Sequence, residues 1–334
     1  MNITKELKTL LDINDLNFIR EKVYKISKSV YIKSNEDKIF IKSELNQILK
    51  TQTIERSKYY IRRLIKALSE EKKSPFNDLN LNKWKQYNHI ITDSLWLFDK
   101  RDTSGAHNAK YWGNFIPQIP NQLIQRFTKK GETVLDPFVG SGTTLIEAKR
   151  LKRNSIGIDI STEAINLCKE NLNKENKKDN VFTELINDDS LKIDLSQILS
   201  KHKIKKIQLI ILHPPYWDII KFTGSDSDLS NSKTLNQFLY AIEKCVANFY
   251  DYLEKKRHLA LVIGDKYSKS EWIPLGFLTM QIISKQGFRL KSIIVKNFED
   301  TTAKRKQKEL WRYRALAGGY YIFKHEYIFI FQKI

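Results

Sequence analysis

The sequence feature that most constrains the fold is a glycine-rich turn at residues 133–144, which read T-V-L-D-P-F-V-G-S-G-T-T. A short apolar run before the turn predicts a strand. Gly140 and Gly142 permit a tight turn with close backbone approach, and Thr143 begins a stretch with helical character. The order of strand, glycine loop and helix is typical of nucleotide-binding sites in parallel α/β sheets.

The residues of this loop distinguish among the nucleotide-binding loops that share its outline. A P-loop requires Gly-Lys-Ser/Thr, and no lysine follows Gly142. A dinucleotide-binding loop places a third glycine where this chain has Leu145. Asp136 ends the predicted strand, where a carboxylate would repel a pyrophosphate and attract an ammonium group. The loop therefore suits a ligand with a positive charge and no phosphate; a dinucleotide site and a glycine turn without a ligand are the alternatives.

S-adenosylmethionine is such a ligand, and the loop resembles motif I of the DNA amino-methyltransferases, which methylate adenine N6 or cytosine N4. The resemblance implies S-adenosylmethionine as the cofactor and the loop as part of its site. The loop residues expected to contact it are Asp136, Pro137, Phe138, Gly140, Ser141, Gly142 and Thr143.

Further cofactor contacts are expected at the ends of the neighbouring elements. Asp159 ends an apolar run about 20 residues beyond the loop, where a carboxylate can accept both hydroxyl protons of a ribose. Family members keep an acid at the next strand end that accepts from the adenine amine, which implies Asp189 or Asp188; the alternative is a helix N-cap. In the family, a segment before motif I closes over the methionine end of the cofactor, and Phe115 lies in a similar stretch, unless it only packs in the core.

A second motif follows the apolar run 207–212, which predicts a strand buried on both faces. His213-Pro214-Pro215-Tyr216 ends that strand, because neither proline has an N–H and Pro215 restricts the backbone of Pro214. The carbonyls left without donors could accept both hydrogens of a base amine and favour its attack on a methyl group. A base flipped out of the helix would stack on the tyrosine ring.

This motif resembles motif IV of the same family, which is usually Asp, Asn or Ser followed by Pro-Pro-Tyr or Pro-Pro-Phe. The resemblance implies catalytic roles for His213, Pro214, Pro215 and Tyr216. His213 and the Pro214 carbonyl would be the acceptors, and Tyr216 the stacking platform. Histidine departs from the family pattern: a neutral imidazole can accept a hydrogen bond and a protonated one cannot, so the base preference and the activity at low pH depend on it.

Charge points to a polyanionic partner. The chain has 58 Lys and Arg against 38 Asp and Glu, a formal net charge of +20. One stretch interleaves cations with aromatic residues, a pattern suited to phosphate contact and base stacking, although a solvated loop is the alternative. Its expected nucleic-acid contacts are Lys304, Arg305, Lys306, Trp311, Arg312 and Arg314.

The order of elements predicts two regions. Residues 106–334 alternate strands and helices, which predicts a doubly wound, Rossmann-like α/β domain with a seven-stranded methyltransferase sheet. Residues 1–105 begin with basic amphipathic helices, as the spacing of Leu64, Ile65 and Leu68 shows. This region is expected either to pack as a solvated bundle or to contact DNA and recognise the target.

The cysteines and the hydropathy pattern exclude other classes. Neither Cys168 nor Cys245 has metal or redox spacing, which predicts no metal site, and neither lies in the Pro-Cys loop that cytosine C5 methylation requires. No apolar run approaches the ~20 residues of a membrane span, so a soluble, cytoplasmic protein without a membrane partner is expected.

These features together predict an enzyme that methylates an exocyclic base amine in double-stranded DNA after base flipping. The family resemblance implies a site-specific enzyme linked to restriction–modification or defence, with cognate proteins of such a system as possible partners. Two alternatives stay open: an amino-methyltransferase that acts on an RNA base or a protein glutamine, and a non-catalytic nucleic-acid-binding homologue, suggested by His213 and the net charge.

Overall fold

The computed structural model describes residues 3–29, 35–108, 111–175, 180–298 and 308–334. The chain divides into two compact units, Met1–Ile90 and Ile91–Ile334. The division falls earlier than the boundary expected after residue 105. The physical reason is that Leu95 and Trp96 pair with the sheet of the second unit, where Trp96 is buried.

The first unit is helical, as the amphipathic pattern predicts. Apolar residues from each of its four α-helices, among them Leu7, Val23, Leu45 and Leu64, are fully buried in one core. Thr53 caps the fourth helix by accepting a hydrogen bond from the Arg56 N–H at 3.2 Å. The helices are α1 (Ile3–Thr9), α2 (Leu16–Ser29), α3 (Asn35–Leu49) and α4 (Ile54–Ser69), with 3-10 helices at Leu10–Asp12 and Leu81–Tyr87.

The second unit alternates strands and helices. Its strands are β1 (Leu95–Trp96), β2 (Thr133–Asp136), β3 (Asn154–Asp159), β4 (Thr183–Asn187), β5 (Ile207–Leu212), β6 (Leu253–Ile263), β7 (Lys266–Ser268), β8 (Glu271–Ile273), β9 (Phe288–Asn297) and β10 (His325–Lys333). Its helices are α5 (Gln118–Phe127), α6 (Thr143–Arg150), α7 (Thr162–Asn173), α8 (Ser196–Lys201), α9 (Leu235–Tyr250), α10 (Leu275–Ser284) and α11 (Lys308–Gly318), with a 3-10 helix at Leu229–Asn231. None of the described helices is long and apolar enough to cross a membrane.

The central sheet has the order β1-β9-β10-β6-β5-β2-β3-β4 among the described residues. Strands β4, β3, β2, β5 and β6 are parallel neighbours, and β10 is antiparallel to both β6 and β9. The doubly wound α/β prediction is confirmed, and the short β1 is one strand more than expected. The chain winds from β2 outward to β4 and then returns to β5, so a crevice opens at the carboxyl ends of β2 and β5.

Both faces of the central strands are buried, which is why these strands read as continuous apolar runs. On β5, Leu209 and Ile211 join a core that contains Ile119 and Leu123 of α5. The alternate residue Ile210 joins a second core, with Phe238 of α9. Helices on opposite faces thus hold β5 in place, and His213 follows its carboxyl end.

Two regions differ from the expected pattern. The basic-aromatic stretch is helical over Lys308–Gly318. Residues such as Leu310, Ala315 and Leu316 have high helix propensity and favour this conformation. A small antiparallel hairpin, β7–β8, follows β6, and the sequence pattern did not predict it.

The glycine loop turns sharply where two helices approach. Gly142 has φ +89°, and a Cβ on it would lie 2.4 Å from Cys168 Sγ of α7. Gly140 has φ +49°, and a Cβ there would lie 2.9 Å from the Tyr111 ring. A side chain at position 142 would clash with a neighbouring helix, and a side chain at position 140 would clash with an aromatic ring, so both positions require glycine.

We expect Gly142→Ala to lower the free energy of unfolding by roughly 2 to 5 kcal/mol, because a left-handed backbone cost adds to overpacking against Cys168. Gly131→Ala is the matched control: Gly131 has φ +79° and open space around its Cβ position, so it should lose only about 1 to 2 kcal/mol. Urea unfolding measures both, and equal losses would contradict the packing role of Gly142.

Candidate active site

A cavity of about 930 Å³ lies in the second unit at the crevice where the winding reverses. It is lined by residues that end β2, β3 and β5, namely Asp136, Asp159 and His213, and by Asp265 after β6. Parallel strands bring their carboxyl ends to one edge of a sheet, so residues far apart in sequence share this cavity.

The glycine loop forms one wall of the cavity. Pro137, Phe138, Gly140, Ser141 and Thr143 line it with Asp136. Gly142 is outside the lining residues and packs against Cys168 instead. The structure thus brings together all the expected loop contacts except Gly142.

Asp136 is buried at the base of this wall. Its Oδ1 accepts a hydrogen bond from the Phe138 N–H at 3.0 Å. Burial raises the pKa of this carboxyl group to about 7, against the hydrogen bond from the Phe138 N–H that lowers it. A cation placed beside Asp136 would therefore favour the ionised form.

Asp159 fastens the glycine loop to the end of β3. Its Oδ2 accepts from the Gly140 N–H at 2.9 Å, and its Oδ1 accepts from the Ser161 N–H at 2.9 Å. Burial raises the pKa of Asp159 although both hydrogen bonds oppose the change. Each carboxylate oxygen keeps a further lone pair, so a fixed acceptor faces the cavity.

The structure separates the two candidate acids after β4. Asp189 lines the cavity, and its Oδ1 accepts from the Leu191 N–H at 2.9 Å. Asp188 is exposed, is not among the cavity residues, and accepts from the Asp189 N–H at 2.7 Å. Asp189 is therefore the one placed to meet a ligand.

Aromatic residues from the segment before α5 cover the cavity. Phe115 lines it, and its ring centroid lies 4.5 Å from that of His213. Phe115 is also buried in the α5 core, so it packs in the core and lines the cavity at the same time. Tyr111 lies over Gly140 and stacks on Phe222 with centroids 6.1 Å apart. The sequence analysis gave Tyr111 no site role, although its position in the same aromatic segment was a usable signal.

The His213-Pro214-Pro215-Tyr216 motif forms a second wall of the cavity. All four residues line the cavity. Burial lowers the pKa of His213 to about 4, so the imidazole is neutral at pH 7 and one of its nitrogens can accept a hydrogen bond.

Tyr216 is held by its ring and by its hydroxyl. The ring packs on Gly264, where a Cβ would lie 2.9 Å from it. The hydroxyl donates to Glu326 Oε2 at 2.8 Å and lies 3.3 Å from His213 Nε2. Lys296 and Glu326 form an ion pair at 3.0 Å in the same wall. Sequence reasoning missed this pair; charged residues inside the apolar patterns of β9 and β10 were the available signal.

The basic-aromatic stretch reaches the cavity through one described residue. Trp311 lines the cavity, and the Arg314 guanidinium lies over its ring at 5.4 Å. Arg312 is exposed on the same helix. Lys304, Arg305 and Lys306 lie outside the described residues.

One group of potential metal ligands occurs among the described residues, formed by Asp102, His107 and Glu147. Glu147 is already paired, with His107 Nε2 at 2.6 Å and Arg150 at 3.2 Å. The Arg150 guanidinium supplies positive charge where a metal would. This group ties the segment before α5 to α6.

The chemical groups that line the cavity fit S-adenosylmethionine. Asp136 is buried and Asp159 is half-buried, and both carboxyl groups have raised pKa values, which a ligand cation would lower. Asp159 and Asp189 offer fixed acceptors for hydroxyl and amine hydrogens, and Phe115 and Phe138 offer apolar contact.

Comparison with known proteins gives one extensive match. A family model described as DNA methylase matches residues 4–170 and 207–334. A second model, described as conserved hypothetical protein 95, matches residues 121–248.

Curated relatives match shorter parts. The Type II methyltransferase M.MjaII of Methanocaldococcus jannaschii is 28% identical over 235 residues, which is 64% of this chain and 40% of that protein. The Type II methyltransferase M2.DpnII of Streptococcus pneumoniae is 44% identical over 102 residues, which is 29% of this chain and 34% of that protein. The matched region thus spans less than half the length of each relative. Among solved structures, TrmN from Thermus thermophilus has a TM-score of 0.41 and 15% identity, covering 67% of this chain and 50% of that one.

We expect Asp136→Asn to stabilise the ligand-free protein increasingly as pH rises from 5 to 8. The folded-state pKa of Asp136 is raised to about 7 from an unfolded value near 4, so stability present at low pH is lost as pH rises through 7. The asparagine variant lacks this loss, and its advantage at pH 8 should be roughly 1 to 4 kcal/mol. Thermal unfolding of the parent and the variant at both pH values measures the difference in stability. The contributions of the other titrating groups are common to both proteins and cancel.

The exposed Asp188 supplies the control. Asp188→Asn should change stability equally at pH 5 and pH 8. A pH-independent effect of Asp136→Asn would contradict the raised pKa assigned to the buried carboxyl group at position 136.

Proposed function

Because the chain belongs to the DNA methylase family whose model it matches, we propose that it methylates an exocyclic base amine in DNA, adenine N6 or cytosine N4, within a restriction–modification system. S-adenosylmethionine is its cofactor. One observation carries the proposal: the His213-Pro214-Pro215-Tyr216 motif and the carboxylates of the glycine-loop wall line the same cavity. A Type II methyltransferase among its relatives supports the restriction–modification context, in which a nuclease would be the cognate partner.

The carboxylate wall binds and orients the cofactor. Asp159 accepts from the ribose hydroxyls with lone pairs not used by Gly140 and Ser161. Asp189 accepts from the adenine amine, and Asp136 balances positive charge. When bound, S-adenosylmethionine supplies an electrophilic methyl group on a sulfonium. Phe115 packs beside that end and excludes water.

The wall formed by residues 213–216 holds the target base. A duplex base can reach this cavity only after it is flipped out of the helix. The Tyr216 ring, supported from behind by Gly264, receives the face of the base. The neutral His213 imidazole and the Pro214 carbonyl accept the two amine hydrogens and draw the nitrogen toward the geometry that can attack a methyl group. The amine proton is lost to solvent after transfer.

DNA contacts are proposed on each unit separately. On the second unit, Trp311 lines the cavity with Arg314 over its ring, and the exposed Arg312 lies on the same helix; these residues suit stacking and phosphate contact.

On the first unit, a groove beside α3 and α4 is lined by Lys42, Lys50, Arg56 and Lys85 with mostly neutral polar side chains, and by no Asp or Glu among its lining residues. Its charge and its amide and hydroxyl groups match a phosphate backbone.

The direct test is expression in a host without adenine-N6 or cytosine-N4 methylation, followed by sequencing with detection of modified bases. Purified protein with a labelled methyl donor is then offered DNA, RNA and protein in parallel. Label in DNA at one sequence supports the proposal, label in RNA or protein replaces it with the corresponding amino-methyltransferase, and failure to bind S-adenosylmethionine favours a non-catalytic homologue.

We expect Asp159→Ala to weaken S-adenosylmethionine binding by about 1 to 3 kcal/mol, because charged hydrogen bonds to the ribose are lost. Titration calorimetry measures the affinity. Asp188→Ala removes an exposed carboxylate from the same sheet edge and should bind the cofactor as the parent does. Equal affinities for the Asp159 variant and the parent, with both folded, would refute the ribose assignment.

We expect Lys50→Ala and Arg312→Ala each to lower DNA affinity and to reduce the slope of log K against log salt by about 0.9, the value for one lost phosphate contact. Lys22→Ala removes the same charge from α2, outside the groove, and should leave the slope unchanged. Fluorescence anisotropy between 50 and 200 mM salt would measure each slope. A Lys50 slope equal to that of Lys22→Ala would place the groove away from DNA.

A further inference from the structure

A chain of polar contacts runs from strands β9 and β10 to His213 in the cavity wall. Lys296 Nζ lies 3.0 Å from Glu326 Oε1, Glu326 Oε2 accepts from Tyr216 Oη at 2.8 Å, and Tyr216 Oη lies 3.3 Å from His213 Nε2. We propose that Glu326 and Lys296 are positioning residues that hold neutral His213 as the tautomer with its proton on Nε2, so that Nδ1 accepts from the base amine. This inference rests on the proposed function and assigns the accepting atom within it.

The direction of the first hydrogen bond follows from the groups involved. An ionised carboxylate can only accept, so the contact at 2.8 Å requires the Tyr216 hydroxyl to donate to Glu326. Burial, together with the charge of Glu326, raises the pKa of Tyr216, so the phenol keeps its single proton at neutral pH. That proton is committed to Glu326, and the lone pairs of Oη remain.

The direction of the second bond follows from the first. Tyr216 Oη has no proton left for His213, so the contact at 3.3 Å is favourable only if His213 Nε2 donates. A neutral imidazole carries one N–H, which leaves the lone pair on Nδ1. None of the described residues makes a hydrogen bond to Nδ1, and His213 lines the cavity, so this lone pair is available to a base amine.

Lys296 determines which oxygen of Glu326 faces Tyr216. The two residues are directly opposite each other on β9 and β10, and both are buried, at 5% and 8% exposure. The ammonium group occupies Oε1, which leaves Oε2 for the phenol. A buried ion pair is costly to assemble and weak evidence for added stability, so a role in orientation gives a reason for its presence.

The test reverses the hydrogen bonds with one substitution. In Glu326→Gln, the amide oxygen should turn to the Lys296 ammonium, because an amide N–H facing a cation is repelled. The amide N–H then faces Tyr216 Oη and donates to it. The phenol in turn donates to His213 Nε2, and the imidazole proton moves to Nδ1, where no lone pair is left for the base.

A second substitution should reverse this change. In Glu326→Gln/Lys296→Met, no cation holds the amide oxygen, so it can accept from Tyr216 again. The phenol then accepts from His213, and the Nε2–H tautomer returns. If the ion pair had only a structural role, the double variant would be at least as impaired as the single variant.

The tautomer is read by ¹⁵N NMR of histidine-labelled protein at pH 7, with the His213 signal assigned from its loss in His213→Asn. We expect the Nε2–H form in the parent and the double variant, and the Nδ1–H form in Glu326→Gln. Methyl transfer should fall at least tenfold in Glu326→Gln and recover at least threefold in the double variant, while S-adenosylmethionine affinity changes less than twofold in both.

Two results would overturn the inference: an Nδ1–H signal in the parent, which needs no variant to fold, or the same tautomer in the parent and Glu326→Gln. The NMR result stands apart from activity. A parent protein with the expected tautomer and no methyl transfer to DNA would refute the proposed function and leave the hydrogen-bond direction intact.

Discussion

Burial of carboxylates at neighbouring strand ends is the constraint on which the site depends. Asp159 links β3 to the glycine loop through the Gly140 N–H, so the loop conformation and the ligand acceptor are fixed by one side chain. The ionised forms of Asp136 and Asp159 are disfavoured in the absence of a cation, as their raised pKa values show. A positively charged ligand beside these carboxyl groups would favour their ionised forms, which gives selectivity for positive charge.

The wall that contains residues 213–216 also holds charged and polar groups that partner one another. Charged residues are rarely buried unless they are paired, and Lys296 and Glu326 satisfy each other across two antiparallel strands. Tyr216 joins this pair to His213, so the residue that departs from the family pattern is part of a larger polar arrangement. The side-chain oxygen of an aspartate or asparagine at position 213 could accept a hydrogen bond directly. A neutral histidine accepts only through the nitrogen without a proton, so neighbouring residues must fix its tautomer.

Local signals in the sequence predicted the central strands and the two motifs that line the cavity. Apolar runs followed by Asp136, Asp159 and His213 predicted strand ends, and the winding order brought those ends together. Residues 1–90 and their helices also followed from spacing, whereas the boundary near residue 105 did not, because the pairing of Leu95 with Val295 depends on a partner distant in the chain. Lys296 and Glu326 were missed for the same reason. Choosing Asp189 over Asp188 required the turn geometry after β4, which periodicity does not encode.

The two edges of the sheet are protected in different ways. At one edge, the Val295 N–H of β9 donates to the Ser94 carbonyl at 2.8 Å, so the two-residue β1 occupies backbone groups that another chain could pair with. At the other edge, β4 carries Glu184 in contact with Lys201 of α8, which places charge beside the open backbone. Exposed edge strands are templates for aggregation, and short or charged edges suppress it. Extension of the sheet by another chain is therefore disfavoured at these two positions, by pairing at one edge and by charge at the other.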